Sequence, residues 1–505
     1  MRGFLILDFG SQYTQVIARR LRDLGFYSEI CSPQISLDSM REKNPYGIIL
    51  SGGPQSVYEK GAPYRDVKEL LENWPILGIC YGFQLLVHQL GGKVTSADNR
   101  EYGRKKVEWK KSFAGISKSQ LAWMSHGDVA SEIPPGFELL AETEHHPACI
   151  KSDRALGVQF HPEVFHTEEG EKIFLEFSQM CKAEKTWTNY SMQEEIEQFV
   201  HRSVKSHEKV LCALSGGVDS TVVATLLHKI LKPGQLQCVF VNTGLLREGD
   251  VYQVMTAYQS LGLPVRSVDV SQLFLEKLKN ITDPEQKRKI IGSLFIDVFD
   301  QEVKKSGLHF DWLAQGTLYP DVIESVSFHG TSVTIKSHHN VGGLPEKMKL
   351  KVLEPVRMLF KDEVRRLGEA LGLSHDFIHR HPFPGPGLAI RILGEVTPEK
   401  VLLLQKADRV FINYLKEKKL YDQIWQAFCV LLPVQSVGVQ GDSRTYDHVL
   451  ALRAVTSRDG MTADWFEFPT QNLREVSNLI TNQVKGINRV VYDVTSKPPG
   501  TIEWE

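Results

Sequence analysis

Several kinds of sequence feature are missing from this chain of 505 residues, and each absence narrows what the protein can be. No stretch approaches the roughly 18 to 20 consecutive apolar residues of a membrane-spanning helix, and the apolar run near Met1 is too short for a signal peptide. The seven cysteines are scattered singly without a C-x-x-C pair, a pattern typical of a reducing cytosol. We therefore expect a cytoplasmic globular protein.

Neither the overall charge nor the spacing of metal-binding residue types indicates a nucleic acid, a membrane or a zinc ion as a partner. Lys and Arg total 59 against 61 Asp and Glu, so no bulk binding to nucleic acid or to an anionic membrane is expected. No H-E-x-x-H or similar zinc spacing occurs. His145 and His146 stand together before Pro147, and we interpret them as a polar turn rather than a metal or catalytic pair.

Short apolar runs alternate with amphipathic segments over most of the chain. This alternation predicts an α/β fold with parallel sheets, whose sites lie at the carboxyl ends of the strands. Two interruptions, a polar stretch at 182–188 and the Pro- and Gly-rich segment 381–387, mark domain boundaries. The strands predicted in the first two domains are 4–7, 47–50, 75–79, 210–214, 237–241 and 265–270. The predicted domains are 1–187, 188–382 and 383–505. The last is a small α+β domain in which strands and helices alternate less regularly, and 489–494 and 501–505 are its final predicted elements.

Cys80 stands where a buried strand turns into a helix, in the sequence Gly78-Ile79-Cys80-Tyr81-Gly82. This is the Cys version of the nucleophile elbow, in which the glycines permit a sharp turn. The N-terminus of a helix favours the thiolate form of a cysteine. The motif alone is weak, because a buried structural cysteine is the commoner explanation.

A second motif, Gly157 to Glu163, supplies the partners that a nucleophilic cysteine needs. A strand delivers His161, and Pro162 turns the chain so that Glu163 can orient the imidazole. Cys, His and carboxylate are the nucleophile, general base and orienting group of acyl transfer.

Together these motifs resemble the class I glutamine amidotransferases, as do Ser51-Gly52-Gly53-Pro54 and the segment 124–128. The resemblance covers about residues 1–185 and implies that Cys80 forms a glutamyl thioester and releases ammonia. It also implies an oxyanion hole at the backbone N–H groups of Gly53 and Tyr81. The residues expected to help hold glutamine are Ser125, His126, Gly127 and Asp128.

The second domain opens with a strand, the turn Ser215-Gly216-Gly217-Val218-Asp219-Ser220, and a helix expected to begin near Thr221. Free N–H groups of such a turn and helix N-terminus form an anion cradle. The hexapeptide resembles the pyrophosphate loop of the N-type ATP pyrophosphatases, which cut ATP between its α and β phosphates. The resemblance implies that the loop from Ser215 to Thr221 holds pyrophosphate, with Asp219 meeting it through Mg²⁺.

Over its whole length the chain resembles the GMP synthetase family, and this resemblance implies the acceptor. Matching stretches include 315–325, 336–345, 380–388 and 497–505. The implied fold is a class I glutamine amidotransferase domain, a parallel-sheet ATP pyrophosphatase (adenine nucleotide hydrolase-like) domain, and a C-terminal α+β dimerisation domain. The implied substrates are glutamine, ATP with Mg²⁺ and xanthosine monophosphate (XMP), and the implied state is a homodimer.

The family resemblance also assigns ligand-binding residues. Lys361 is expected to meet the pyrophosphate, although an exposed charge at a helix start would look the same. Arg288 is expected to bind the nucleotide monophosphate, while the run 287–289 could equally be a solvated helix face. The other residues expected to bind XMP are Asp442, Lys497, Ile502 and Glu503.

One departure and two alternatives remain at this point. Asn242-Thr243-Gly244 stands where the family usually has Asp-Asn-Gly, which leaves the affinity for the adenosine open. Pyrophosphate-loop proteins also modify tRNA, but those usually carry cysteine pairs or a strongly basic extra domain. A non-catalytic nucleotide sensor is the other alternative, and the presence of Cys80, His161, Glu163 and Asp219 together argues against it.

Overall fold

A computed structural model describes residues 1–325, 350–440, 443–457 and 462–505. The chain forms two compact units. The first contains residues 1–195 and a short stretch that starts at Pro320, and the second contains the remainder. No helix in the described ranges is both long enough and apolar enough to cross a membrane.

The first unit is built on a nine-stranded sheet with the strand order β2-β1-β3-β4-β9-β8-β7-β5-β6. From β2 to β9 the neighbours are parallel, and from β9 to β6 they are antiparallel. The elements are β1 (Phe4–Leu7), α1 (Thr14–Asp23), β2 (Ser28–Cys31), α2 (Leu37–Lys43), β3 (Gly47–Leu50), α3 (Val67–Asn73), β4 (Ile76–Ile79), α4 (Tyr81–Gln89), β5 (Lys93–Trp109), β6 (Ser119–Glu132), β7 (Glu138–Glu142), β8 (Pro147–Lys151), β9 (Ala155–Val158) and α5 (Gly170–Met180). The next helix, α6 (Asn189–Ser203), begins in the first unit and ends in the second.

The parallel strands of this unit are buried on both faces, the pattern typical of a parallel sheet that is covered on each side. β1, β3, β4 and β9 are buried at every residue. The predicted bounds of β1 and β3 are confirmed, and β4 starts one residue later than predicted.

The rest of the chain carries one parallel and one mixed sheet. Five parallel strands lie in the order β12-β11-β10-β13-β14, and β16 lies between β15 and both β17 and β18 in a four-stranded sheet. The elements are β10 (Val210–Leu214), α7 (Val218–Ile230), β11 (Leu236–Asn242), α8 (Asp250–Ser260), β12 (Val265–Asp269), α9 (Ser271–Leu278), α10 (Pro284–Ser306), β13 (Trp312–Ala314), α11 (Tyr319–Ser325), β14 (Lys351–Leu353), α12 (Lys361–Ala370), α13 (His375–Ile378), α14 (Pro398–Glu417), β15 (Gln426–Gln440), β16 (Ser443–Thr456), β17 (Asp464–Trp465), α15 (Thr470–Gln483) and β18 (Ile487–Tyr492). All of α11 after Tyr319 belongs to the stretch that is grouped with the first unit.

One apolar core runs through the second unit, from the parallel sheet to the mixed sheet. It joins Leu211 and Val239 of the parallel strands to Phe411 of α14 and Leu450 of β16. The segment after Pro386, a 3-10 helix at Gly387–Arg391, contributes Leu388 to the same core. The predicted boundary at residues 382 and 383 therefore does not separate two independent cores.

Two local predictions are wrong. The turn from Ser215 to Ser220 is called the phosphate-type loop below. The helix that follows begins at Val218 rather than near Thr221, because the buried Val218 side chain joins the first turn to the core. Residues 501–505 form neither helix nor strand, and side chains of the second unit hold them instead.

Candidate functional site

Cys80 is held in a strained backbone conformation between β4 and α4. Its φ is 53° and its ψ is −105°, values that a residue with a side chain rarely adopts. A Cβ at Gly78 would lie 2.7 Å from the carbonyl oxygen of Gly82, and one at Gly82 would lie 2.3 Å from that of Leu50. Both flanking glycines are therefore required for the close approach, and the turn presents the thiol at the carboxyl edge of the sheet.

His161 follows β9, the strand beside β4, and pairs with Glu163. The His161 Nδ1 and Glu163 Oε1 atoms are 2.7 Å apart, and both side chains are buried. The main chain of His161 is fixed by its N–H, which donates to the Trp123 carbonyl, and by the Thr167 hydroxyl, which donates to its carbonyl. Because Nδ1 faces Glu163, Nε2 is the nitrogen that remains for Cys80.

Electrostatics favour a protonated imidazole beside the thiol. Burial lowers the pKa of His161, but the charges of Glu163 and Cys80 and the hydrogen bonds with both outweigh it and raise the pKa well above its ordinary value. A thiolate–imidazolium pair suits nucleophilic attack, since the thiolate is the reactive form of cysteine.

A cavity of about 570 Å³ opens at this edge, and its lining includes Cys80 and His161. Gly53 packs closely against Tyr81: a Cβ at Gly53 would lie 3.2 Å from Tyr81 Cγ. The Tyr81 hydroxyl donates to the Pro63 carbonyl, and burial raises its pKa to about 12. The predicted residues that line the cavity are Gly53, Cys80, Ser125, His126, Gly127, Asp128 and His161.

Glu101 and Gln84, two polar residues that the sequence did not single out, contact the segment Ser125 to Asp128, which is expected to hold glutamine. His126 Nε2 lies 3.3 Å from Glu101 Oε2, and the two residues are direct cross-strand partners in β5 and β6. Burial opposes ionisation of Glu101, but hydrogen bonds with His126 and Thr143 lower its pKa below the usual range. The Gln84 side chain donates to the Asp128 carbonyl at 2.7 Å. Pairing the two strands from the sequence would have revealed the Glu101 contact.

The phosphate-type loop follows β10, the central strand of its sheet. Gly216 has a φ of 79°, which a residue with a Cβ rarely adopts. Ser215 and Ser220 lie within 3.3 Å of each other through their hydroxyls, and Thr221 Oγ1 donates to the Gly217 carbonyl at 2.8 Å. Side-chain bonds thus fix the loop and leave the N-terminus of α7 facing outward for an anion.

Lys361 and Asp219 form a close ion pair at this loop. Lys361 Nζ lies 2.6 Å and 2.5 Å from the two Asp219 carboxylate oxygens. A Cβ at Gly316 would be 3.2 Å from Asp219, so the strand-end glycine permits this packing. In the described ranges no three His, Cys, Asp or Glu side chains cluster as a metal site. One carboxylate at a phosphate cradle nevertheless fits Mg²⁺ that arrives on a nucleotide.

A cavity of about 840 Å³ extends from the loop within the second unit. Ser215 to Asp219 and Lys361 line one part of it. Elsewhere the lining carries two ion pairs, Arg247 with Asp408 and Arg380 with Asp250.

His381 lines the same cavity and is locked in its neutral form. The Ala427 N–H donates to its Nδ1 at 3.1 Å, so Nε2 carries the proton and donates to the Tyr421 carbonyl. Protonation of Nδ1 would remove the acceptor from Ala427. Burial, helped by the charge of Arg247, lowers the pKa of His381 to about 4.

Acid should therefore destabilise the protein through His381. Its folded pKa lies below the unfolded value, so the unfolded chain binds more protons, and stability is lost as the pH falls from about 6.5 towards 4. The free energy of unfolding, measured with urea, should fall between pH 7 and pH 5 in both proteins. The fall should be about 2 kcal/mol smaller in His381→Gln than in the wild type. The exposed His309→Gln is the control and should behave like the wild type; an equal loss in His381→Gln contradicts the assignment.

Of the residues expected to bind XMP, Arg288 lies on α10, and Lys497, Ile502 and Glu503 lie in the last ten residues of the chain; Asp442 is outside the described residues. Arg288 Nη2 donates to the main-chain oxygen of Glu505, and its Nε lies 3.3 Å from Glu285. The Lys497 main chain pairs with that of Ala463. Ile502 packs in a small apolar cluster with Phe428, Val430, Ala451, Val455 and Ala463.

Glu503 and the run 287–289 have partners that the sequence did not reveal. Both carboxylate oxygens of Glu503 accept hydrogen bonds from the buried Arg391. Lys287 is fully buried and its Nζ lies 2.5 Å from a carboxylate oxygen of Glu505, so a solvated helix face is the wrong interpretation of this position.

The segment Asn242-Thr243-Gly244 is ordered by its own side chains. Asn242 Nδ2 donates to Asp269 at 2.8 Å, and its Oδ1 accepts from the Gly244 N–H at 3.0 Å. Gly244 has a φ of 75°, which explains the glycine. The departure from the family pattern is thus compatible with a formed turn after β11.

Three family profiles match the chain in succession. The profile described as class-I glutamine amidotransferase matches residues 5–180, the NAD synthase profile 192–291, and the GMP synthase C-terminal domain profile 413–504. A curated protein named GMP synthase (glutamine-hydrolyzing), from Bdellovibrio bacteriovorus, is 61% identical over 507 residues, which is 100% of both chains. Proteins of the same name from Helicobacter pylori and Aquifex aeolicus are 54% and 53% identical and cover at least 99% of each chain.

The chain belongs to the glutamine-hydrolysing GMP synthase family. The predicted family is therefore confirmed, and with it the fold class: a class I glutamine amidotransferase domain, a pyrophosphate-loop ATP pyrophosphatase domain and a GMP synthase C-terminal domain. The relatives named above are GMP synthases, and neither tRNA-modifying enzymes nor non-catalytic sensors. The predicted domain limits and residue roles stay predictions.

Proposed function

We propose that this member of the GMP synthase family converts XMP to GMP, using glutamine as the nitrogen donor and ATP as the activating reagent. The observation that supports this most is that one chain contains both a buried Cys80–His161–Glu163 set and a pyrophosphate-type loop with the Asp219–Lys361 pair. The first set suits ammonia release, and the second suits activation of the acceptor.

In the glutaminase step, Cys80 attacks the side-chain amide carbon of glutamine while His161 holds the proton that leaves with ammonia. Glu163 keeps the imidazole oriented and stabilises its charge. The backbone N–H groups of Gly53 and Tyr81 would stabilise the oxyanion. Water then hydrolyses the thioester, with His161 as general base, and releases glutamate. The segment Ser125 to Asp128 would hold the substrate in the cavity.

In the synthetase step, the C2 oxygen of XMP attacks the α-phosphorus of ATP and pyrophosphate leaves. Ser215 to Thr221 and Lys361 would hold the pyrophosphate through N–H groups, hydroxyls and the ammonium. Mg²⁺ bound with ATP would neutralise phosphate charge, with Asp219 as its protein ligand. Ammonia then attacks C2, and AMP leaves with the former carbonyl oxygen.

At the acceptor site, Arg288 would bind the monophosphate of XMP and Glu503 would accept a hydrogen bond from a purine ring N–H group. Lys497 and Asp442 would complete the closure over the nucleotide, and Ile502 would pack beside it. The seven free cysteines fit a reaction carried out in the cytoplasm, which forms part of the proposal.

The proposal is tested by incubating the purified protein with XMP, ATP, Mg²⁺ and either glutamine or ammonium. GMP, AMP and pyrophosphate should appear in equal amounts with each nitrogen source. ATP cleavage to AMP without GMP from either source would mean that another carbonyl-bearing nucleotide is the acceptor.

We further propose a homodimer that forms through the C-terminal domain. Three apolar side chains on the β15–β16 hairpin, Val437, Val439 and Tyr446, are each more than half exposed, and Val437 is the cross-strand partner of Tyr446. Exposed apolar side chains that share one face favour association.

Val439→Asp should convert the dimer to a monomer, because it places a charge in the apolar face. Sedimentation velocity of the wild type and the variant measures the mass directly. Leu402→Asp, at an exposed position on α14, is the matched control and should stay dimeric. A monomeric wild type, or a dimeric Val439→Asp, contradicts this surface.

A further inference from the structure

Three buried cations of the second unit all bind the end of the chain. Among the described residues, the buried Lys and Arg side chains are Arg22 in the first unit and Lys287, Arg391 and Arg453 in the second. Lys287 binds Glu505 and Arg391 binds Glu503. Arg453 binds the main chain of the segment that joins β18 to Glu503. Burying a charge is costly unless it is paired, so these three cations are built for this segment.

Arg453 closes the base of the loop that carries Lys497. Its guanidinium donates to the carbonyls of Thr495 at 2.6 Å and Thr501 at 3.1 Å, on the two sides of that loop. A further ion pair at 3.3 Å joins it to Asp493. The backbone that leads into Glu503 is therefore fixed before any ligand binds.

Arg391 fixes the Glu503 side chain itself. Its Nε donates to Oε2 at 3.0 Å and its Nη2 to Oε1 at 2.7 Å, while the rings of Phe428 and Phe383 lie 4.1 Å and 5.0 Å from the guanidinium carbon. Gln426 Nε2 donates to Oε1 at 2.6 Å. This bidentate geometry holds the Glu503 carboxylate in one rotamer.

The contacts leave one position of the carboxylate for a ligand. A carboxylate oxygen has two lone pairs. Oε1 accepts from both Arg391 and Gln426, whereas Oε2 accepts from Arg391 alone among the described residues. The Glu503 side chain is 20% exposed and that of Arg391 is 0% exposed, so a ligand can reach the glutamate but not the arginine.

We propose that Arg391 is a positioning residue for the acceptor base: it holds Glu503 as a fixed, charged hydrogen-bond acceptor that selects a purine with a ring N–H donor. The inference rests on the proposed function, in which Glu503 meets the XMP base. Ordering the glutamate in advance removes an entropic cost from binding. A fixed anionic acceptor also disfavours a base whose ring nitrogens are themselves acceptors.

Arg391→Lys tests the proposal, since it keeps the charge but cannot make the bidentate contact. The KM for XMP should rise roughly 10- to 100-fold, the loss expected for hydrogen bonds to a charged group. The kcat at saturating XMP should stay within about twofold of the wild type, because the lost contact is made equally in ground and transition states. A purely structural role would instead lower kcat or the folded fraction.

A double-mutant cycle separates action through Glu503 from any other action. In a Glu503→Gln background, Arg391→Lys should change the KM for XMP by less than about twofold, because the interaction is already weakened. An effect as large as in the wild-type background overturns the proposal. Gln426→Met removes the other donor to Glu503 and should raise the KM several-fold; it decides the question if Arg391→Lys does not fold.

The outcomes also distinguish this inference from the proposed function. If the wild type forms no GMP from XMP, the proposed function fails and the acceptor is another nucleotide. If the wild type forms GMP while Arg391→Lys and Gln426→Met keep the wild-type KM for XMP, only the positioning role of Arg391 is overturned.

Discussion

Replacing Cys80 by alanine should abolish glutamine-dependent GMP formation, by at least about 10³-fold, and leave ammonium-dependent formation within about twofold of the wild type. The thiol is the proposed nucleophile, and nothing else in the Cys80–His161–Glu163 set can form the thioester. Alanine keeps the Cβ at the strained φ of 53°, so the backbone of the turn has no new reason to change. GMP is measured at saturating XMP and ATP with each nitrogen source in turn.

Cys181→Ala is the matched control. Cys181 belongs to the same unit, it packs against Gly47, and burial raises its pKa to about 12, so it is a poor nucleophile. This variant should use glutamine like the wild type. Loss of ammonium-dependent activity in Cys80→Ala would contradict separate sites for ammonia release and use, and retained glutamine use would remove Cys80 from the chemistry.

The elements that the sequence predicted best are strands whose side chains are almost all buried. β1, β3 and β10 have the predicted bounds, because strands buried on both faces appear as continuous apolar runs. The nucleophile turn and the phosphate-type loop were also identifiable, since each depends on glycines at fixed positions within a few residues. Their local geometry is encoded locally.

The contacts around the proposed acceptor site could not be predicted in this way. Lys287 and Glu505 are 218 positions apart, and Arg391 and Glu503 are 112 apart. A run of Lys and Arg on a helix has the same pattern whether it faces solvent or a buried carboxylate. Only the packing of α10 and the 3-10 helix at Gly387–Arg391 against the last residues decides between these environments.

The start of α7 shows the same limit at a smaller scale. A Ser- and Gly-rich turn does not fix where a helix begins, because Val218 has no strong preference for the first turn or for the loop. The burial of its side chain in the core extends the helix towards β10. This placement brings Asp219 into the first helical turn, where its carboxylate meets Lys361.

Asp219→Asn should stop GMP formation with both nitrogen sources, by roughly 10²- to 10³-fold, while basal glutamine hydrolysis continues. Asparagine has nearly the same shape but lacks the charge that pairs with Lys361 and that would bind Mg²⁺. ATP–pyrophosphate exchange in the presence of XMP isolates the adenylation step and should be lost in parallel. This pattern is the reverse of that expected for Cys80→Ala.

Asp376→Asn is the control for a lost negative charge at the same cavity, because its carboxylate is exposed and lies outside the loop. It should keep exchange within about twofold of the wild type, since exposed charges contribute little to binding through water. Wild-type exchange in Asp219→Asn would show that ATP is not cleaved at this loop. Loss of basal glutamine hydrolysis in Asp219→Asn would mean that the first unit acts only when the loop is intact. That result would contradict the prediction, because the two-site proposal assigns basal hydrolysis to the first unit alone.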